Sequence, residues 1–291
     1  MNMVSTLKLS QDVKWVFESA SLIDEGFTEL NGFKIQFPED LKILQDAEAY
    51  LNKNPLQKNQ TTRLGLYFEY VFKFGIENYS NHKVTLHNYR LKEHHNLGEI
   101  DFITEDEIGK YFHWEIALKF YLQHKNGKVL ENWIGPNAKD NFNLKWQKLI
   151  HKQIPFSQMP EVKKDLALND ISIEKALLFV KGMLFYHPKN SDGLQPEIVN
   201  PFHKKGWWIY PNEFSQYFSY KTSWLILEKF NWIGTPDLTP EISGRNLHEM
   251  IAKSFKKPLM VALIDENENL SHGFIVPPSW PNLGSINCKP F

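Results

Sequence analysis

Between Trp114 and Leu122 apolar side chains fall on every second position: Trp114, Ile116, Leu118, Phe120 and Leu122. Glu115, Ala117, Lys119 and Tyr121 stand between them. A period of two predicts a strand and sorts the two sets onto opposite faces. "NLGEIDFIT" and "HKVTLHNYRL" (82–91) alternate in the same way and predict two strands upstream. Before them, "EDLKILQDAEAYLNKN" (39–54) has helical spacing through Leu41, Leu44, Ala47 and Leu51, closed by Pro55. "QTTRLGLYFEYVFKFGIENYS" sets Leu64, Phe68, Phe72 and Ile76 on one stripe, widened by Tyr67, Val71 and Phe74. That predicts a helix buried on most of its circumference, with Thr61 or Thr62 as its cap. Downstream, Gly135-Pro136-Asn137 is a turn, and a helix is expected from about Ala138 to Gln153, ending before Pro155. "IEKALLFVKGMLFYH" (173–187) is apolar on both faces, as a central strand would be.

Residues 61–187 therefore read helix, strand, strand, strand, helix, strand. Residues 1–60 form a helical N-terminal segment. Residues 188–291 form an α+β extension, with strands at "KGWWIYP", "TSWLILEKFNWI", "PLMVALID" and "SHGFIVPPSW" and a helix at "GRNLHEMIAKSF". The prolines between Pro188 and Pro201 mark a soft boundary.

The second and third strands carry acids where a buried sheet would not ordinarily place them. A turn over Asp106–Lys110, with Gly109 supplying a positive φ, centres the hairpin on residue 108. Paired residues then sum to 216, which sets Asp101 opposite Glu115 on one face, with Cβ atoms roughly 5 Å apart. Two carboxylates so placed repel unless a cation lies between them. A divalent ion with oxygen ligands, Mg²⁺ above all, suits that position. A slip of one residue would send the acids to opposite faces. Two other readings stand beside this one. Glu115 and Lys119, spaced i,i+4, would pair on a helix. An amphipathic strand would hold its charges in water. Large aromatics on both faces of the strand argue for cover on both sides.

Composition narrows the classes. Of 291 residues, 42% are apolar and 14% aromatic, enough for a large core and unlike a disordered chain. A net charge of −1 gives no global basic field, so a nucleic-acid partner would have to meet a local patch. The single cysteine, Cys288, rules out an internal disulfide framework or a cysteine zinc site. No run of 18 apolar residues occurs, and the first residues lack a signal-peptide core, so a cytoplasmic protein without a membrane span is expected. One local patch stands out: Lys145, Lys148 and Lys152 recur at i, i+3 and i+7 on the expected second helix, near Lys139 and Gln153. Such a stripe suits a phosphate backbone, or it is a solvated face. The histidines at 82, 87, 94, 95 and 113 lack zinc-ligand spacing and read as exposed. Trp207, Trp208 and Tyr210 read as core rather than as a base-stacking platform.

The element order, with "GEID" and "HWEIALK", resembles the core of the PD-(D/E)XK nuclease superfamily. "HWEIALKFYL" followed by "WIGPNAKDNFNLKWQKLIHKQI" resembles, more narrowly, the bacterial domain of unknown function 1853 family. The resemblance is clearest over residues 60–155. It implies a restriction-endonuclease-like αβββαβ core, a mixed central sheet flanked by helices, followed by the α+β extension. It implies Asp101 and Glu115 as ligands of Mg²⁺ or Mn²⁺, Lys119 as the catalytic cation and Glu69 as an outer acid on the first helix. Glu69 could otherwise pair with Lys73. The superfamily lysine usually lies two residues after the second acid. Here that place is Ala117, and Lys119 sits about 6.7 Å further along the strand. The implied activity is metal-dependent hydrolysis of phosphodiester bonds in DNA, with RNA as the alternative substrate. Lys139, Lys145, Lys148, Lys152 and Gln153 would meet the nucleic acid. The competing expectation is a degenerate nuclease fold that only binds nucleic acid or protein.

Overall fold

The computed structural model describes residues 5–24, 26, 32–60, 63–91, 98–190, 194–236, 241–253, 255–264 and 269–282. The expected caps Thr61 and Thr62, and the "EHH" at 93–95, lie outside the described residues. The fold is α/β: a mixed sheet of ten strands flanked by helices. The strands are β1 (His82–Tyr89), β2 (Ile100–Asp106), β3 (Tyr111–Gln123), β4 (Trp133–Ile134), β5 (Ile173–Tyr186), β6 (Lys204–Ile209), β7 (Ser223–Ile226), β8 (Ile242–Ser243), β9 (Leu259–Ile264) and β10 (Leu270–Ile275). Their order is β1-β2-β3-β5-β6-β10-β9-β7-β8, with β4 paired to β3. β6 runs parallel to both β5 and β10, and the other recorded pairs are antiparallel.

The longer helices are α1 (Thr6–Glu18), α2 (Asp40–Lys53), α3 (Leu64–Tyr79), α4 (Phe142–Lys148), α5 (Pro160–Ala167) and α6 (Gly244–Lys253). The sequence expectation for the helix after the turn needs correction at both ends. Ala138 has φ +52, and the Asn141 side chain caps the helix by accepting from the Leu144 N–H at 2.9 Å, so α4 starts at Phe142. It does not stop before Pro155. A π-helical turn over Leu149–Gln153 follows directly, then a short helical turn over Ile154–Phe156. Proline is tolerated there because an N–H at the start of a turn needs no partner. α5 has no counterpart in the sequence reading. The expected strand over "TSWLILEKFNWI" is real only for β7, and Lys229–Trp232 curls into a 3₁₀ turn.

The chain separates into two compact units, Met1–Leu118 with Trp146–Lys181, and Lys119–Lys145 with Gly182–Phe291. In the first, α3 turns Phe72 toward Phe102, Trp114 and Phe179, with ring centroids 5.0, 5.6 and 5.0 Å away. Phe17 of α1 stacks on the same ring at 5.6 Å. Aromatic pairs at these separations add to what area burial alone contributes. A second cluster joins Ile100 and Ile103 of β2 to Phe156 and to Val162 and Leu166 of α5. In the second unit Ile209, Phe214, Trp224, Leu247, Ile251, Val261 and Ile275 form the core. β5 is buried without a break from Leu177 to Phe185, as a strand apolar on both faces should be.

Candidate functional site

The β2–β3 hairpin turns where the sequence placed it. Gly109 has φ +81, and Phe102 pairs with Trp114, Ile103 with His113, Thr104 with Phe112 and Glu105 with Tyr111. Every pair sums to 216. Continuing that register by one residue sets Asp101 opposite Glu115, on the face shared by Ile103 and His113. Beyond Phe102 the carboxylate replaces a ladder partner: the Ile116 N–H donates to Asp101 Oδ2 at 2.8 Å.

Glu115 is wholly buried, so the reading of a solvated charged face does not hold for it. Burying a carboxylate is costly unless hydrogen bonds replace its water. Two donors do so. His113 Nε2 lies 2.9 Å from Oε1, and the Gln153 side-chain amide donates to Oε2. His113, two residues away on the same face, is itself fully buried. Burial pushes its pKa down from 6.5 to about 4, against the opposing pull of Asp101, so the ring is neutral near pH 7. Glu115 Oε1 accepts from the ring N–H at Nε2. Nδ1 then accepts from the Ser157 hydroxyl at 2.9 Å. Ser157, His113, Glu115 and Gln153 form one chain of hydrogen bonds that fixes the direction of the Glu115 carboxylate. The π-helical turn explains how Gln153 reaches it. An extra residue in the turn changes the helical phase after Lys148, and a local widening of this kind is frequent at functional positions. Gln153 thus contacts Glu115, a partner that the sequence did not suggest.

The pair fits a hard cation in one respect. Both groups are carboxylates, the ligand type Mg²⁺ and Mn²⁺ take, and Glu115 is oriented by outer donors as metal-ligating carboxylates are. Among the described residues no group of three or more His, Cys, Asp or Glu side chains is placed to hold a metal. An ion here would keep most of its shell for water and substrate.

Lys119 is held differently. In the second unit its Nζ lies 2.8 Å from Asp140 Oδ2 and 5.9 Å from the centre of the Tyr121 ring. Tyr121 stacks on Phe142 at 5.0 Å, and the two side chains of the ion pair are 28% and 41% exposed. The Gly135–Asp140 turn places Asp140: the Gly135 N–H donates to the Asp140 carbonyl at 2.9 Å, and a Cβ at Gly135 would lie 2.4 Å from Asp140 Oδ1.

Glu69 lies half-buried on α3 with Oε2 3.4 Å from His87 Nε2, and Lys73 reaches Glu77 at 3.7 Å. Lys139, Lys148 and Lys152 are exposed and Lys145 is half-buried. Lys152 lies within the π-helical turn, so the even i, i+3, i+7 stripe does not continue past Lys148. Glu99 pairs with Arg90, its Oε2 2.9 Å from Arg90 Nε.

Sequence reasoning passed over four residues. His113 was grouped with exposed histidines, yet it is buried against Glu115. His82 is buried too, 2.8 Å from the Thr104 hydroxyl. The signal for His113 was available, because it stands at i−2 from Glu115 on the same face of the strand. Ser157 lies beyond the expected end of the helix and left no pattern. Asp140 stood inside the quoted "GPN…D" stretch without a partner being named. Trp208 is core, as expected, donating to the Gln123 carbonyl at 2.9 Å. No helix among the described residues is long and apolar enough to cross a membrane.

Comparison with known proteins adds one result. The sequence model of the family described as Domain of unknown function (DUF1853) matches residues 11–276. No curated protein and no solved structure matches the chain.

Proposed function

The chain belongs to the domain of unknown function 1853 family, and from that premise we propose a metal-dependent nuclease that hydrolyses phosphodiester bonds of DNA. In this reading it is a cytoplasmic protein and a member of the PD-(D/E)XK superfamily, with a restriction-endonuclease-like core. The observation that supports the reading is the β2–β3 register, which, carried one residue past Phe102 and Trp114, would face Asp101 toward Glu115, while His113 and Gln153 hold Glu115 in place.

Asp101 and Glu115 would hold Mg²⁺ or Mn²⁺. The bound ion supplies Lewis acidity toward a phosphoryl oxygen and a more acidic water. The other parts belong to the chain. The backbone N–H of Ile116 fixes Asp101. The neutral His113 ring keeps Glu115 in one orientation and, lowered to about 4, does not compete for its charge. Lys119 would stabilise charge developing on the phosphate, once drawn from Asp140 by the closer anion. Glu69 would be an outer acid, and Lys139, Lys145, Lys148 and Lys152 would meet the backbone.

A second reading rests on Lys119. It stands two residues past the usual place and is already paired with Asp140, which suits a fold that binds nucleic acid without cutting it. Incubation of supercoiled and linear DNA with the protein in Mg²⁺ or Mn²⁺ separates the two. Cutting by the native chain, lost in Asp101→Asn and Glu115→Gln and reduced at least about a hundredfold in Lys119→Ala, supports catalysis. Circular dichroism must show the variants folded. Retained DNA binding with no cutting in either metal would leave the binding module. In Asp140→Asn, stability should change by under about 1 kcal/mol, because the ion pair is part-exposed. A larger loss in urea melts would mean that Asp140 is structural.

A further inference from the structure

Beside β1 lies an open cavity of about 630 Å³, within the range of small-molecule sites and built from the first unit alone. Its origin is a β-bulge. Val84 pairs with Thr104 and Leu86 with Ile103, so Thr85 is an extra residue in β1 with no place in the ladder. Bulges re-aim side chains and recur beside functional sites. Thr85 lines the cavity, and its Oγ1 is buried with no hydrogen-bond partner among the described residues. That hydroxyl is closed off from the cavity space, so the bulge shapes the wall while the polar contacts come from its neighbours.

The rest of the lining supplies complementary chemistry. Tyr89 and Tyr111 are half-buried aromatic walls. Burial first, then Asp165, raises the Tyr89 pKa, so the phenol stays protonated and donates to Asp165 Oδ2 at 2.5 Å. Nothing among the described residues bonds Asp165 Oδ1, and Asn169 stands exposed at the rim. Arg90 directs Nε and one terminal nitrogen at Glu99, which leaves its other terminal nitrogen for an anion. A carboxylate accepts from an exocyclic amino group, an amide reads a base edge in both senses, arginine takes phosphate, and flat rings pack on tyrosine.

We propose that the cavity beside the β1 bulge binds a nucleotide whose base carries an exocyclic amino group. The base lies between Tyr89 and Tyr111, its amino group donates to Asp165, and Arg90 faces the phosphate. The site shares none of Asp101, His113, Glu115 or Lys119, so it stands whether or not the chain cuts DNA.

Calorimetric titration of the full chain with AMP, CMP, UMP, orthophosphate and a short single-stranded oligodeoxyadenylate tests it. Saturable binding of AMP or CMP is expected, with UMP at least about tenfold weaker and orthophosphate not saturating. Saturation by the oligonucleotide but not by the mononucleotides would place the same base within a strand and still support the site. Asp165→Asn should weaken AMP binding about tenfold. Asn169→Ala, at an exposed position that does not threaten folding, should narrow the gap between AMP and UMP. The proposal is overturned by no saturation with any nucleotide or oligonucleotide. It is equally overturned if UMP or orthophosphate binds as well as AMP, or if Asp165→Asn and Asn169→Ala behave as the native chain.

Discussion

His113 shows how much one buried ring can set. It bridges Ser157 and Glu115, and its burial holds it neutral down to about pH 4. An unfolded chain would protonate the same residue near 6.5. Between those values the unfolded state binds a proton that the native state refuses, so stability contributed by the neutral ring is full above pH 6.5. It is lost as the pH falls toward 4, by roughly 3 kcal/mol at the limit. Urea midpoints measured across pH 7 to 4 should therefore fall on acidification, and His113→Asn should flatten that fall. An unchanged slope in the variant would mean that the ring is not held neutral. At the same scale, the strand positions of Asp101, Glu115 and Lys119 were legible in the sequence because strand parity shows in spacing. The reach of Gln153 to Glu115 and of Ser157 to His113 was not, because both follow the path of a helix whose local geometry no periodicity reveals.

At the scale of elements, β5 illustrates how close backbone approach selects a residue. Gly182 has φ +144, and a Cβ there would lie 1.7 Å from the Lys119 carbonyl oxygen. The contact is with backbone, which cannot swing aside as a side chain can. Gly182→Ala should therefore destabilise the second unit by more than about 3 kcal/mol or prevent its folding. A thermal melt within a degree or two of the native chain would contradict that close packing. The strands themselves were legible, since β1, β2, β3 and β5 follow from alternation or from continuous apolar runs. The β1 bulge was not, because Thr85 fits an alternating pattern as well as its neighbours do. The π-helical turn after α4 was equally hidden. Its sequence is an ordinary amphipathic run, and only the need to carry the chain through Pro155 with Gln153 against Glu115 distinguishes it.

At the scale of the molecule, buried ionisable groups act in opposing directions over one pH range. His203 and His272 are lowered to about 4 by burial, as His113 is. Asp12, wholly buried on α1, bonds Lys8 and accepts from the Tyr67 hydroxyl at 2.7 Å. Burial raises its pKa from 3.8 to about 6 despite the pull of Lys8. Its sign is the reverse of the histidines'. A carboxyl raised in the folded state contributes stability below 3.8 that is lost as the pH rises through 6. Between pH 4 and 6 Asp12 thus offsets part of the histidine effect. Asp12→Asn should make the loss of stability on acidification steeper over that interval, as read from urea melts at half-unit steps. A shallower slope would reverse the assignment.

From the residue order alone came an α/β fold, the helices α2 and α3, the strands β1, β2, β3 and β5, the hairpin centre at residue 108 and the strand parity that sets Asp101 and Glu115 on one face. These follow from local rules, since alternation, turn chemistry and pairing parity act between near neighbours in the chain. Tertiary structure decided which side chains close around Glu115, that Lys119 turns to Asp140, and that a bulge leaves Thr85 over a cavity. Each depends on segments far apart in sequence meeting at hydrogen-bond distance. Such meetings are set by packing and desolvation of the folded chain, for which no spacing along the sequence stands as a sign.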